Sequence, residues 1–69
     1  MEKLYMIVIE KKENEMLNKI FEELGDAIKD VDATKIFNVM GFELILYGIV
    51  CTEETFININ EQINGQRLF

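Results

Sequence analysis

The sequence predicts an α+β domain in which one long amphipathic helix lies on one face of a mostly antiparallel sheet. Three observations carry that expectation. Residues 4–9 form an apolar run bounded by charges, a stripe of apolar residues at helical spacing begins at Met16, and two apolar segments at 33–40 and 42–51 are separated by Gly41. With 69 residues and about half of them apolar, the chain is read as a single soluble domain over 1–69.

Leu4-Tyr5-Met6-Ile7-Val8-Ile9 is rich in β-branched residues and almost unbroken in its hydrophobicity, which fits a first strand covered on both faces. Lys11 and Lys12 lead into Glu13-Asn14-Glu15, where Lys12 or Asn14 starts a helix and the acids suit its positive end. At about 100° per residue, the side chains of Met16, Leu17, Ile20, Phe21, Leu24, Ala27, Ile28 and Val31 share one side of the helical circle. The stripe keeps its phase across Gly25, so the pattern predicts one helix over 13–32, with Gly25 inside it at a cost of up to about 1 kcal/mol relative to Ala.

Segments 33–40 and 42–51 read as two strands joined at Gly41 in a hairpin, with Gly48 marking a bulge in the second. The remaining stretch supports two readings. Thr52 before Glu53 and Glu54, with Phe56, Ile59 and Ile63 at helical spacing, describes a capped second helix, which followed by a short strand closes a ferredoxin-like plan. The alternation in Thr55-Phe56-Ile57-Asn58-Ile59-Asn60, with Asn64-Gly65 as a turn before Gln66-Arg67-Leu68-Phe69, describes a β-hairpin instead and is preferred.

Composition narrows function by exclusion. There is no His, Ser, Pro or Trp, and only Cys51 carries a thiol, so triads, Cys-His pairs and soft-ligand metal centres have no residues to build them. No catalytic, cofactor-binding or metal-binding residue is assigned, no cofactor is expected, and the chain is read as a non-enzyme. Cys51 lies among apolar neighbours and is read as a small buried hydrophobe in a reducing, cytoplasmic setting. The apolar runs are too short to span a membrane.

Thirteen acids against seven bases give a net charge of −6, which disfavours direct nucleic-acid binding. A single core in a chain this short yields about 3–5 kcal/mol, so self-association is expected to supply further stability, and the homo-oligomer is the first partner expected. An unidentified protein is the second. One helix covers one face of a sheet, and the apolar runs leave the other face uncovered. Tyr5, Ile7, Leu44, Leu46, Tyr47, Leu68 and Phe69 are the candidate interaction surface.

The function expected from these features is that of a small acidic interaction protein that regulates or inhibits another protein by surface binding, a role that includes mobile-element and phage counter-defence factors. The alternative is an oligomeric small-ligand module that senses or sequesters a metabolite or nucleotide. Lys3-Leu4-Tyr5-Met6-Ile7-Val8-Ile9-Glu10 resembles the first strand of the CRISPR-associated second-protein nuclease family, with Glu10 where that family places Asp, and assigns no family.

Overall fold

The computed structural model describes residues 1–66. Strand β1 (Glu2–Glu10) is followed by helix α1 (Asn14–Leu24), strands β2 (Ile28–Val39) and β3 (Phe42–Thr52), and helix α2 (Glu53–Gln66); 3-10 turns at Lys11–Glu13 and Gly25–Ala27 flank α1. The sheet order is β1-β3-β2, and β3 pairs antiparallel with both neighbours. The most apolar segment of the chain thus takes the central position, where both of its backbone edges are paired. The α+β class, the β-α-β-β beginning and the hairpin around Gly41 agree with the sequence pattern.

Three local expectations do not hold. The helix predicted over 13–32 ends at Leu24, because Gly25 adopts φ 50°, ψ −119° and its N–H closes on the Phe21 carbonyl. That backbone conformation is open to Gly and costly for other residues. Ile28 and Val31, which continue the helical phase on paper, instead pair with Cys51 and Ile49 as strand residues. The second correction concerns 53–66, which is helical rather than a hairpin. Thr52 caps it by accepting the Thr55 N–H at 3.2 Å, and the buried Ile59 and Ile63 point to the core. The Asn residues, poor helix formers because they compete for backbone bonds, are occupied locally: Asn60 donates to the Phe56 carbonyl and Asn58 accepts from Gln62. Third, Gly48 sits in regular register opposite both Met6 and Asp32, and the irregularities fall on β2 between Ile28 and Asp30 and between Ala33 and Lys35. The closing strand of a ferredoxin-like plan falls on 67–69, outside the described residues.

Antiparallel registry decides which side chains share a face, because directly opposed residues point the same way. The odd-numbered residues of β1 and β3 face the helices. Ile9, Ile45, Tyr47, Ile49 and Cys51 from the sheet join Leu17 and Ile20 of α1 and Ile59 and Ile63 of α2 in one buried cluster. Phe21 meets Tyr47 edge-on at 6.0 Å, and Phe56 stacks on Tyr5 at 4.4 Å. The Tyr47 hydroxyl donates to the Asn14 side-chain oxygen, so the one polar tip this ring brings inward is satisfied at the start of α1.

Candidate interaction surface

The even-numbered residues of β1 and β3 form the opposite face, over which no described element lies. Row by row, Leu4 stands beside Val50, Met6 beside Gly48, Val8 beside Leu46 and Glu10 beside Leu44. β2 extends each row with Asp30, Asp32, Lys35 and Phe37 in turn, and Val39 pairs with Phe42 beyond them. The β1 column from Leu4 to Val8 and the whole β3 column contain no charge. Leu4 is 66% exposed and Phe42 57%, with Met6, Val8 and Val39 close behind. At ordinary side-chain areas the patch amounts to roughly 600 Å², the top of the range for the largest apolar patch on a monomer.

The tip of the β2–β3 hairpin belongs to this end of the molecule. Met40 and Gly41 both have positive φ, 52° and 87°, the requirement of a two-residue type I′ turn. Met40 is 93% exposed despite being apolar and held in a conformation that non-glycine residues avoid. A shallow depression lined by Glu10, Val39, Met40, Phe42 and Leu44 runs from the tip onto the face.

Charge is confined to the margins of the face. Glu10 receives Lys12 at 3.8 Å, and Lys11 pairs with Glu43 on the helix side at 3.1 Å, both well solvated and therefore of small energetic weight. Along the β2 edge, Asp30 accepts the Val31 N–H at 3.0 Å, while the Lys35 ammonium lies 5.9 Å from the Phe37 ring centre. Thr34, the extra residue between the paired Ala33 and Lys35, donates its hydroxyl to the Leu46 carbonyl at 2.9 Å and ties the irregularity to the central strand. Most remaining acids lie on the two helices, away from the open face.

The structure divides the seven sequence-predicted surface residues. Leu44 and Leu46 are on the open face. Tyr5, Ile7 and Tyr47 lie on the helix side, Tyr47 buried and the other two packed against the core. Leu68 and Phe69 fall outside the described residues. Leu4, Met6, Val8, Phe37, Val39, Phe42 and Val50 complete the face and were missed. Strand alternation held the signal: Leu46 and Tyr47 are sequence neighbours in one strand, so a single face cannot hold both.

Chemical resources elsewhere are few. Cys51 is fully buried, and burial, with a smaller contribution from the Glu2 charge, pushes its thiol above the ordinary value, away from nucleophilic use. Among the described residues no group of three or more Cys, Asp or Glu side chains is placed to hold a metal ion. No described helix is long and apolar enough to cross a membrane. The chain matches no protein-family model, no curated protein and no solved structure.

Proposed function

We propose that the protein works by protein–protein association through its open sheet face and performs no catalytic step, acting as a regulator or inhibitor of what it binds in the cytoplasm. The βαββα order follows a ferredoxin-like plan over residues 2–66. One observation carries the proposal: two adjacent strands present an uncharged apolar surface on the side opposite the helices, with Leu4, Met6, Val8 and Phe42 exposed and Leu44, Leu46 and Val50 half-buried. An apolar surface of that size gains free energy only when another surface covers it. The acids at its margins and on the helices favour a protein over nucleic acid as the cover.

Methionine oxidation tests this directly, since Met6 lies on the face while Met1 stands free of it at 98% exposure. Peroxide converts an accessible thioether to the sulfoxide. In concentrated lysate of the source cells Met6 is expected to oxidise several-fold more slowly than in dilute purified protein, with Met1 equal in both. Equal Met6 rates in the two settings would refute association through this face.

A further inference from the structure

Asn64-Gly65, the one Asn-Gly step in the chain, has the composition of a hairpin turn but lies in the last turn of α2. We infer that it is a site of spontaneous covalent modification, at which Asn64 loses its side-chain amide and becomes an aspartyl or isoaspartyl residue. Water is the only co-reactant. The Gly65 backbone nitrogen gives up its proton and bonds to Asn64 Cγ; the Cγ–Nδ2 bond breaks, the leaving nitrogen takes a proton from solvent, and it departs as ammonia. A five-membered imide ring is left. Water then opens the ring at Cγ, which gives aspartate in an ordinary peptide link, or at the Asn64 carbonyl carbon, which leaves the main chain running through Cγ. One water enters, one ammonia leaves, and no atom changes oxidation state.

Three features set Asn64 apart from the other five asparagines. Each of those is followed by a residue with a side chain, namely Glu15, Lys19, Val39, Ile59 or Glu61, whose Cβ crowds the attacking nitrogen. Gly65 has no Cβ, and the space where one would stand is open to 4 Å. The second feature is the state of the amide. Asn14 accepts from the Tyr47 hydroxyl, Asn58 accepts from Gln62, and Asn60 donates to the Phe56 carbonyl, whereas Asn64 stands exposed at the helix end.

Position is the third. A formed helix aims the Gly65 N–H along its axis at the Glu61 carbonyl, so the ring closes only when the last turn opens. That opening gives up the bonds donated by Gly65 and Gln66 and leaves Ile63, the last described residue of the core cluster, in place. Glycine itself weakens the turn. Asn58 and Asn60 flank the buried Ile59, and opening α2 there takes both Ile59 and Ile63 out of the core.

The product changes how α2 ends. A carboxylate in the last turn meets the negative end of the helix dipole and stands three residues from Glu61, and the isoaspartyl form adds a backbone atom that the helical hydrogen-bond pattern does not accommodate. Modification therefore loosens the chain beyond Ile63 as the protein ages and leaves the open face, on the other side of the sheet, as it is.

Incubation for weeks at physiological temperature and mildly alkaline pH, read by fragment-ion mass spectrometry, tests the site in the native chain, the same chain unfolded in urea, and Gly65→Ala. Gly65 has no positive φ and has room for a methyl group, and circular dichroism checks that the variant folds. Asn64 is expected to convert to a separable pair of acid products at about tenfold or more the rate of Asn58 and Asn60, and within about tenfold of its own rate in urea. Gly65→Ala should slow it by about tenfold or more. Asn64→Asp, which installs one product directly, should lower Tm by about 2–6 °C. An Asn64 that stays intact in the native chain while it converts in urea would overturn the inference, because the last turn would then be closed to the reaction. Equal rates at the three asparagines of α2, or a Gly65→Ala chain modified as fast as the native one, would overturn it too. An Asn64→Asp chain that melts with the native one would overturn the stated effect on α2.

Discussion

Replacing Gly25 with Ala separates the observed chain path from the one the apolar stripe suggests, because the two give opposite signs. In an uninterrupted helix the exchange would stabilise by up to about 1 kcal/mol. In the structure Gly25 ends α1 at φ 50°, ψ −119°, and a Cβ added there meets nothing within 4 Å. The cost is therefore conformational. An L-residue at positive φ loses roughly 1–2 kcal/mol, and a ψ this far from the left-handed minimum near +47° puts Gly25→Ala at about 2 kcal/mol. Reduced freedom of the unfolded chain returns about 0.4–1 kcal/mol, which leaves a net loss of about 1–2 kcal/mol. For a domain of about 3–5 kcal/mol total stability that is a large fraction. Urea unfolding at fixed protein concentration reads it as a midpoint lowered by about 1 M or more at an m-value near 1 kcal/mol/M. A midpoint that is unchanged or raised would show that α1 does not end as described.

Two further outcomes follow from local geometry. Met40→Asn should raise Tm by about 4–8 °C, since Asn tolerates positive φ, the relief is about 1 kcal/mol, and an almost fully exposed Met40 has little packing to lose; an unchanged or lower Tm in a melting scan would count against the turn. For Cys51 the folded thiol is raised above its unfolded value, so its contribution to stability is complete below about pH 8.5 and is lost as pH rises through the folded value. Denaturation midpoints from pH 7 to 10 should therefore fall more steeply for the native chain than for Cys51→Ala, and parallel curves would contradict a thiol kept neutral by burial.

Particular residues show how much of this was legible in the sequence. Both sheet strands of the hairpin, the first strand and the start of α1 could be read from hydrophobic runs and charged boundaries. The end of α1 could not, because Ile28 packs against the core whether it follows a helix or begins a strand, and its phase agreed with both. In α2 the alternation of 55–60 competed with a cap and an apolar spacing of three and then four residues, and tertiary burial of Ile59 and Ile63 decided between them. The open face was hidden by symmetry of composition. Odd and even positions of β1 and β3 are both apolar, so hydrophobicity alone could not say which set the helices cover. The pairing of Met6 with Gly48 and of Ile7 with Tyr47 assigns the sets at once, but registry is a property of the folded sheet.

The central position of β3 also orders the steps by which the chain assembles. β2 reaches β3 across a two-residue turn, whereas β1 pairs with it only after α1, β2 and the turn have intervened, with Glu2 opposite Thr52 and Glu10 opposite Leu44. Long closures cost more entropy before their contacts repay it, so the hairpin forms early and β1 adds late. In the interval 4–9 is an unpaired, β-branched apolar segment, the composition that templates aggregation. Glu2 and Lys3 before it and Glu10, Lys11 and Lys12 after it then serve as gatekeepers. Their charges protect the strand while it waits for its place beside β3.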